Sequence, residues 1–150
     1  MASINNVARH ILGCFDFQML TTMKLQKLTF YSQAYALATT GRPLFHDDFY
    51  AWRAGPVASE LFKLHRGKFF VSMDEIPDSG EALCDEEKEL VQKVCDNLGK
   101  CTGKELSERI HAESPWAEAR GDLDPSERSS QIISKAEIAR YYSTHPVISV

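Results

Sequence analysis

The chain has 150 residues, 43% of them apolar and 25% charged, and a formal net charge of −4. That size and apolar share fit one core-forming domain spanning 1–150, and they exclude a disordered chain or a fold in which disulfides or metal replace a core. The charge is uneven: residues 1–70 carry eight basic against four acidic side chains, or +4, which leaves −8 for the rest. The total argues against nucleic acid and anionic membrane as bulk partners, while the split leaves room for a basic face.

In chain order, Ser3 is an N-cap before Ile4, Val7, Ala8, Ile11, Leu12 and Phe15, whose 3–4 spacing predicts a helix. A second cap at Thr21-Thr22 opens a long helix through Thr40, with Gly41 as its stop. Its apolar residues occupy more than one face, as expected of the central helix of a domain. Phe49-Tyr50-Ala51-Trp52 reads as a short strand interrupted by Gly55-Pro56, with Pro56 in the first turn of a helix running to Gly67. Lys68–Ser72 is the expected partner strand, which gives a small β-hairpin near 49–72.

Residues 73–83 read as loop. Asp85 caps a helix ending at Gly99, and Thr102 with Glu105 forms a capping box for the next. Pro115 ends or kinks that helix, residues 121–131 form an exposed loop, and Ser134 with Glu137 caps a last helix closed by Pro146. The sum is a mainly α, single-domain bundle of five to six helices around the helix at about 22–40, with one small hairpin.

Cys14, Cys84, Cys95 and Cys101 show no C-x-x-C pattern or zinc-finger spacing, so they read as reduced packing residues. With no membrane-length apolar run and no leader or lipidation pattern, the expectation is a cytoplasmic protein. His111-Ala112-Glu113 opens like a zinc-deaminase motif, but Trp116 stands where a cysteine ligand is needed, so no metal or other cofactor is expected. His111 then reads as a structural partner of a neighbouring loop. His46-Asp47-Asp48 lacks calcium-loop spacing and reads as a solvated turn. No phosphate-binding, dinucleotide-binding or serine-hydrolase motif occurs.

Two features remain. Lys24, Lys27 and Tyr31 share one stripe of the long helix, either as lysines snorkelling from a half-buried helix or as a contact surface. In Trp52-Arg53-Ala54-Gly55-Pro56-Val57, Trp52 is either a core anchor or, with Arg53, an interface hot spot.

Around these residues the chain resembles the Panacea-domain antitoxin family, which includes Soc-type antitoxins and related phage-associated proteins. The resemblance rests on Met23–Leu28 with Tyr31, Gln33 and Ala34, on Thr40–Phe45, and on Ala51–Val57. It continues through Leu106-Ser107, His111–Trp116 with Arg120, and Ile133 to Tyr142. It implies a bacterial, often prophage-associated, helical domain that neutralises a cognate toxin by direct binding. In one branch it implies an adaptor that hands the toxin to an AAA+ protease. It carries no catalytic residues, so a non-enzymatic protein is expected.

On this reading Lys24, Lys27, Tyr31, Trp52, Arg53, Gly55 and Pro56 form or support the partner surface, while His111 and Trp116 are structural. The competing readings are a metal- or nucleotide-dependent enzyme built on His111 and Glu113, with Arg53 and His65 nearby, and a DNA-binding operon regulator. The second is weakened because the only candidate recognition helix, Thr102–Ser114, is acidic.

Overall fold

The computed structural model describes residues 1–124 and 129–148. Among them run seven helices: α1 (Ile4–Gly13), α2 (Thr22–Thr40), α3 (Ser59–His65), α4 (Asp85–Leu98), α5 (Gly103–His111), α6 (Ser114–Arg120) and α7 (Lys135–Thr144). The strands are β1 (Met19–Thr21), β2 (Phe49–Trp52), β3 (Gly55–Ala58), β4 (Phe70–Ser72) and β5 (Ile132–Ile133). The mainly α reading holds. The helix count rises to seven because Pro115 does not kink α5 but starts the separate helix α6, where a missing N–H costs nothing.

Helix α2 is the centre. The Thr21 side chain accepts from the Lys24 amide at its start, and Gly41 ends it at φ +74°, a left-handed conformation that glycine adopts without strain. Twelve of its residues are buried, on all faces, against α1, α4, α5, α7 and β3. Two of its glutamines act as substitute backbone. Gln26 accepts from the Ala58 amide at 3.0 Å and lies 3.0 Å from His65 Nε2. Gln33 accepts from the Leu44 amide at 2.7 Å and donates to the Phe45 carbonyl at 2.9 Å. Each satisfies backbone groups that burial would otherwise leave unpaired.

The hairpin differs from expectation. β2 pairs antiparallel with β3, Trp52 opposite Gly55, across a two-residue turn of Arg53 and Ala54. Pro56 is therefore a strand residue, on the edge of the order β3–β2–β5, where its missing donor is tolerated; α3 begins only at Ser59. The segment read as β2's partner, β4, instead pairs with β1, Leu20 opposite Val71, with both side chains buried. A local two-residue reversal closes less chain than a link across 15 or more residues, so it takes β2 first.

Several smaller expectations also shift. The N-cap of α4 is Cys84, whose amide donates to Glu87, rather than Asp85. The four cysteines are free, but only Cys95 is buried; Cys84 is exposed and Cys14 caps the end of α1. The 46–48 turn is fastened to α7 by Lys135, which donates to the His46 carbonyl and pairs with Asp48, each at 2.8 Å. Part of the expected loop at 121–131 lies outside the described residues.

Candidate protein-binding site

The lysine stripe of α2 turns out to be a set of three different environments. Lys24 is half-buried; its Nζ donates to the Gly99 carbonyl at the end of α4 and lies 4.8 Å from the Phe15 ring centroid. A cation there meets the negative end of a helix dipole. Tyr31 is fully buried and donates to Glu113 Oε1 at 2.6 Å, and Tyr142 from α7 donates to the same oxygen at 2.9 Å. Arg109 completes the group, 4.7 Å over the Tyr31 ring and 3.4 Å from Glu113 Oε2. Burial and the Glu113 carboxylate push both phenols far above their ordinary pKa, with Tyr142 adding to the shift of Tyr31, so they remain donors.

Lys27 is the exception. It is only 2% exposed, yet its ammonium has no hydrogen-bond acceptor or carboxylate partner among the described residues. Burial holds its pKa down at about 8. Its chain ends beneath Gly55: a methyl group at residue 55 would stand 2.6 Å from Lys27 Cε and 2.8 Å from Nζ. Burial lowers the pKa of two imidazoles, His65 at the end of α3 and His111 at the end of α5, and the Lys27 charge adds to it.

The turn above Lys27 is held from three sides. Trp116 Nε1 donates to the Trp52 carbonyl at 2.7 Å, Ser107 to the Ala54 carbonyl at 2.8 Å, and Arg120 to the Ala51 carbonyl at 3.0 Å. His111 stacks on Trp116 with centroids 4.1 Å apart. Trp52 packs edge-on against Phe62 at 4.9 Å, and Arg53 projects from the turn. Between turn and α3 lies a cleft of about 770 Å³ lined by Trp52, Arg53, Phe62, Arg66, Ser129 and Ser130. Ser107 and Arg120 carry roles that no local pattern announces, because their partners are backbone carbonyls more than 50 residues away.

A second feature was not singled out in the sequence. Phe17, Met19, Met23, Phe69 and Phe70 are all exposed, the phenylalanines by 94%, 73% and 52%. In the β1–β4 pair Met19 and Phe70 lie on the face opposite the buried Leu20 and Val71, and the Phe69 and Phe70 rings touch at 4.9 Å. Phe17 is held outward by a left-handed backbone (φ 60°) followed by another at Gln18 (φ 52°), a conformation that costs a non-glycine residue energy. The signal available in the sequence was the pair Phe69-Phe70 itself: in a strand, one of two neighbours must face away from the core.

His111 and Glu113 do not form a joint centre: the carboxylate is taken by Tyr31, Tyr142 and Arg109, and the imidazole by Trp116. Among the described residues no three His, Cys, Asp or Glu side chains are grouped to hold a metal, and no helix is long and apolar enough to cross a membrane.

Residues 25–117 match the family described as antitoxin SocA-like, Panacea domain. The chain belongs to this family. The match covers α2 almost from its start, the β2–β3 turn, and α5 with Trp116, so the Panacea region contains Lys27 and two of the three groups that hold the turn over it, Ser107 and Trp116, with Arg120 just beyond. Phe17, Met19 and Met23 precede it. No curated protein and no solved structure matches the chain. Membership relates the protein to toxin–antitoxin systems.

Proposed function

We propose that this Panacea-domain protein is an antitoxin-type binding module that neutralises a cognate toxin by direct contact. The observation that supports it is the exposed apolar side of the β1–β4 ribbon. Large side chains gathered in water are unfavourable on a free protein and are characteristic of a protein contact surface. We assign Lys24, Trp52 and Arg53 to the partner surface as its polar and aromatic contacts, with Lys27, Tyr31, Gly55 and Pro56 supporting it through the packing of α2 and the β2–β3 hairpin. Basic residues of the first half suit an acidic area on the partner. Delivery to an AAA+ protease would use the same contact and differ only in the fate of the toxin.

The test is genetic and biochemical. The open reading frame next to this gene, expressed alone, should arrest growth, and co-expression of this chain should restore it through a complex that co-elutes in gel filtration. A Phe69→Ser/Phe70→Ser variant should fold and fail to rescue. A harmless neighbour, or rescue without a complex, would remove the proposal.

A further inference from the structure

Two elements each bring an aromatic ring and a guanidinium to one cleft: Trp52 and Arg53 from the β2–β3 hairpin, Phe62 and Arg66 from α3 and its end. The Trp52 and Phe62 rings meet at 73° with centroids 4.9 Å apart, which makes a corner rather than a closed stack. Both are half-buried, so part of each remains open to a ligand. The corner is held from behind: the Trp52 carbonyl accepts from Trp116 at 2.7 Å, and Phe62 packs edge-on against the buried His65 at 5.4 Å. The volume of about 770 Å³ suits a small organic ligand.

The polar groups of the cleft are donors without acceptors. Among the described residues the Arg66 guanidinium, the Trp52 indole N–H and the Ser130 hydroxyl make no hydrogen bond. Ser129 is buried and accepts from the Gln131 amide at 3.1 Å, which leaves its own proton unused. A guanidinium carries five N–H groups, so Arg53 can serve a ligand beside any other contact it makes. No Asp or Glu is among the described lining residues. A ligand that completes this site therefore brings oxygen acceptors and negative charge, with a flat body for the aromatic corner.

We propose that the cleft binds a nucleoside monophosphate, its base against Trp52 and Phe62 and its phosphate between Arg53 and Arg66. Aromatic side chains stack on any base, and guanidinium forks match phosphate oxygens two at a time. A phosphate monoester carries close to two negative charges at pH 7, whereas a peptide carboxylate offers one to the same pair of arginines. The site stands independently of the toxin-binding reading. It shares Trp52 and Arg53 with the surface assigned there, but Phe69 and Phe70, on which that reading turns, are not among its lining residues.

The experiment follows the Trp52 indole N–H resonance of the isotope-labelled full chain, assigned by its loss in Trp52→Phe. The monophosphates of adenosine and uridine, the two parent nucleosides, inorganic phosphate and acetyl-Phe-Glu-amide are titrated at constant ionic strength. The expected result is a saturable shift with at least one monophosphate, which binds at least tenfold tighter than its nucleoside and than phosphate. Arg66→Gln should weaken that binding at least tenfold and leave nucleoside binding unchanged, while Phe69→Ser/Phe70→Ser should bind the nucleotide like the parent. Phosphate binding as tightly as the nucleotides would reduce the cleft to a simple anion site, and tighter binding of the peptide would make it a groove for a protein segment; either result overturns the nucleotide. A Trp52 resonance indifferent to every probe, or Arg66→Gln binding like the parent, would overturn the cleft as the site.

Discussion

Lys27 occupies the place where residue 55 would carry its side chain: its Cε and Nζ lie 2.6 and 2.8 Å from the position a Cβ on Gly55 would take. The long helix and the Gly-Pro turn are therefore locked together by one contact across 28 positions. Gly55 also has φ +124°, which an L-residue rarely adopts.

Gly55→Ala should accordingly destabilise the fold by about 2–4 kcal/mol, combining backbone strain with the clash. Lys27→Ala in the same chain should recover about 1–2 kcal/mol of it, the part due to contact, and leave the strain. Urea denaturation of the two single variants and the double variant measures that coupling; strict additivity would place Lys27 elsewhere.

Lys27 also sets a pH dependence. Its pKa is about 8 in the fold against 10.5 as an ordinary lysine, so between those values the unfolded chain binds more protons and stability from this group rises with pH. Below pH 8 the full penalty applies, on the order of 3 kcal/mol. Lys27→Met should therefore be more stable than the parent by about 1–3 kcal/mol at pH 7, and the gap should narrow toward pH 9.5. Comparing the two proteins is necessary because burial raises the pKa of Cys95, whose ionisation in the unfolded chain opposes this trend. A gap that is constant with pH would contradict a depressed Lys27.

The Glu113 carboxylate joins α2, α5 and α7. Glu113→Ala would leave the Tyr31 and Tyr142 hydroxyls without their acceptor and Arg109 without its charge partner, at about 2–4 kcal/mol. Glu113→Gln retains an acceptor and should cost less. Equal losses would show that the tyrosine hydrogen bonds do not matter to the fold.

The apolar ribbon should behave in the opposite way. Phe69→Ser and Phe70→Ser remove side chains that the free fold leaves largely in water, so each should change stability by no more than about 0.5 kcal/mol. Thermal melts check this; a large loss would make the pair structural.

The central helix was legible because its signals are local: the Thr21 cap, the Gly41 stop and apolar residues on every face. The capping box at Thr102 and Glu105 was legible for the same reason. Strand pairing was not, since the alternation in Phe69–Ser72 fits Phe49–Trp52 as well as Met19–Thr21, and only the closing of β2 on β3 decides between them. The site was legible as two blocks of residues but not as one object. Lys27 sits on a helix stripe with Lys24, and nothing near it in sequence says that a turn 28 residues later folds over one lysine and leaves the other half-exposed. The same distance hid Ser107 and Arg120, which fix that turn through its backbone.

The binding role and its surface are tested most directly by calorimetric titration of the neighbouring gene's product into the purified chain and into the Phe69→Ser/Phe70→Ser variant. A one-to-one complex is expected for the parent and at least a hundredfold loss of affinity for the variant, with both proteins folded. Equal affinity for the two would contradict the assigned surface, and no complex with the parent would contradict the binding role itself.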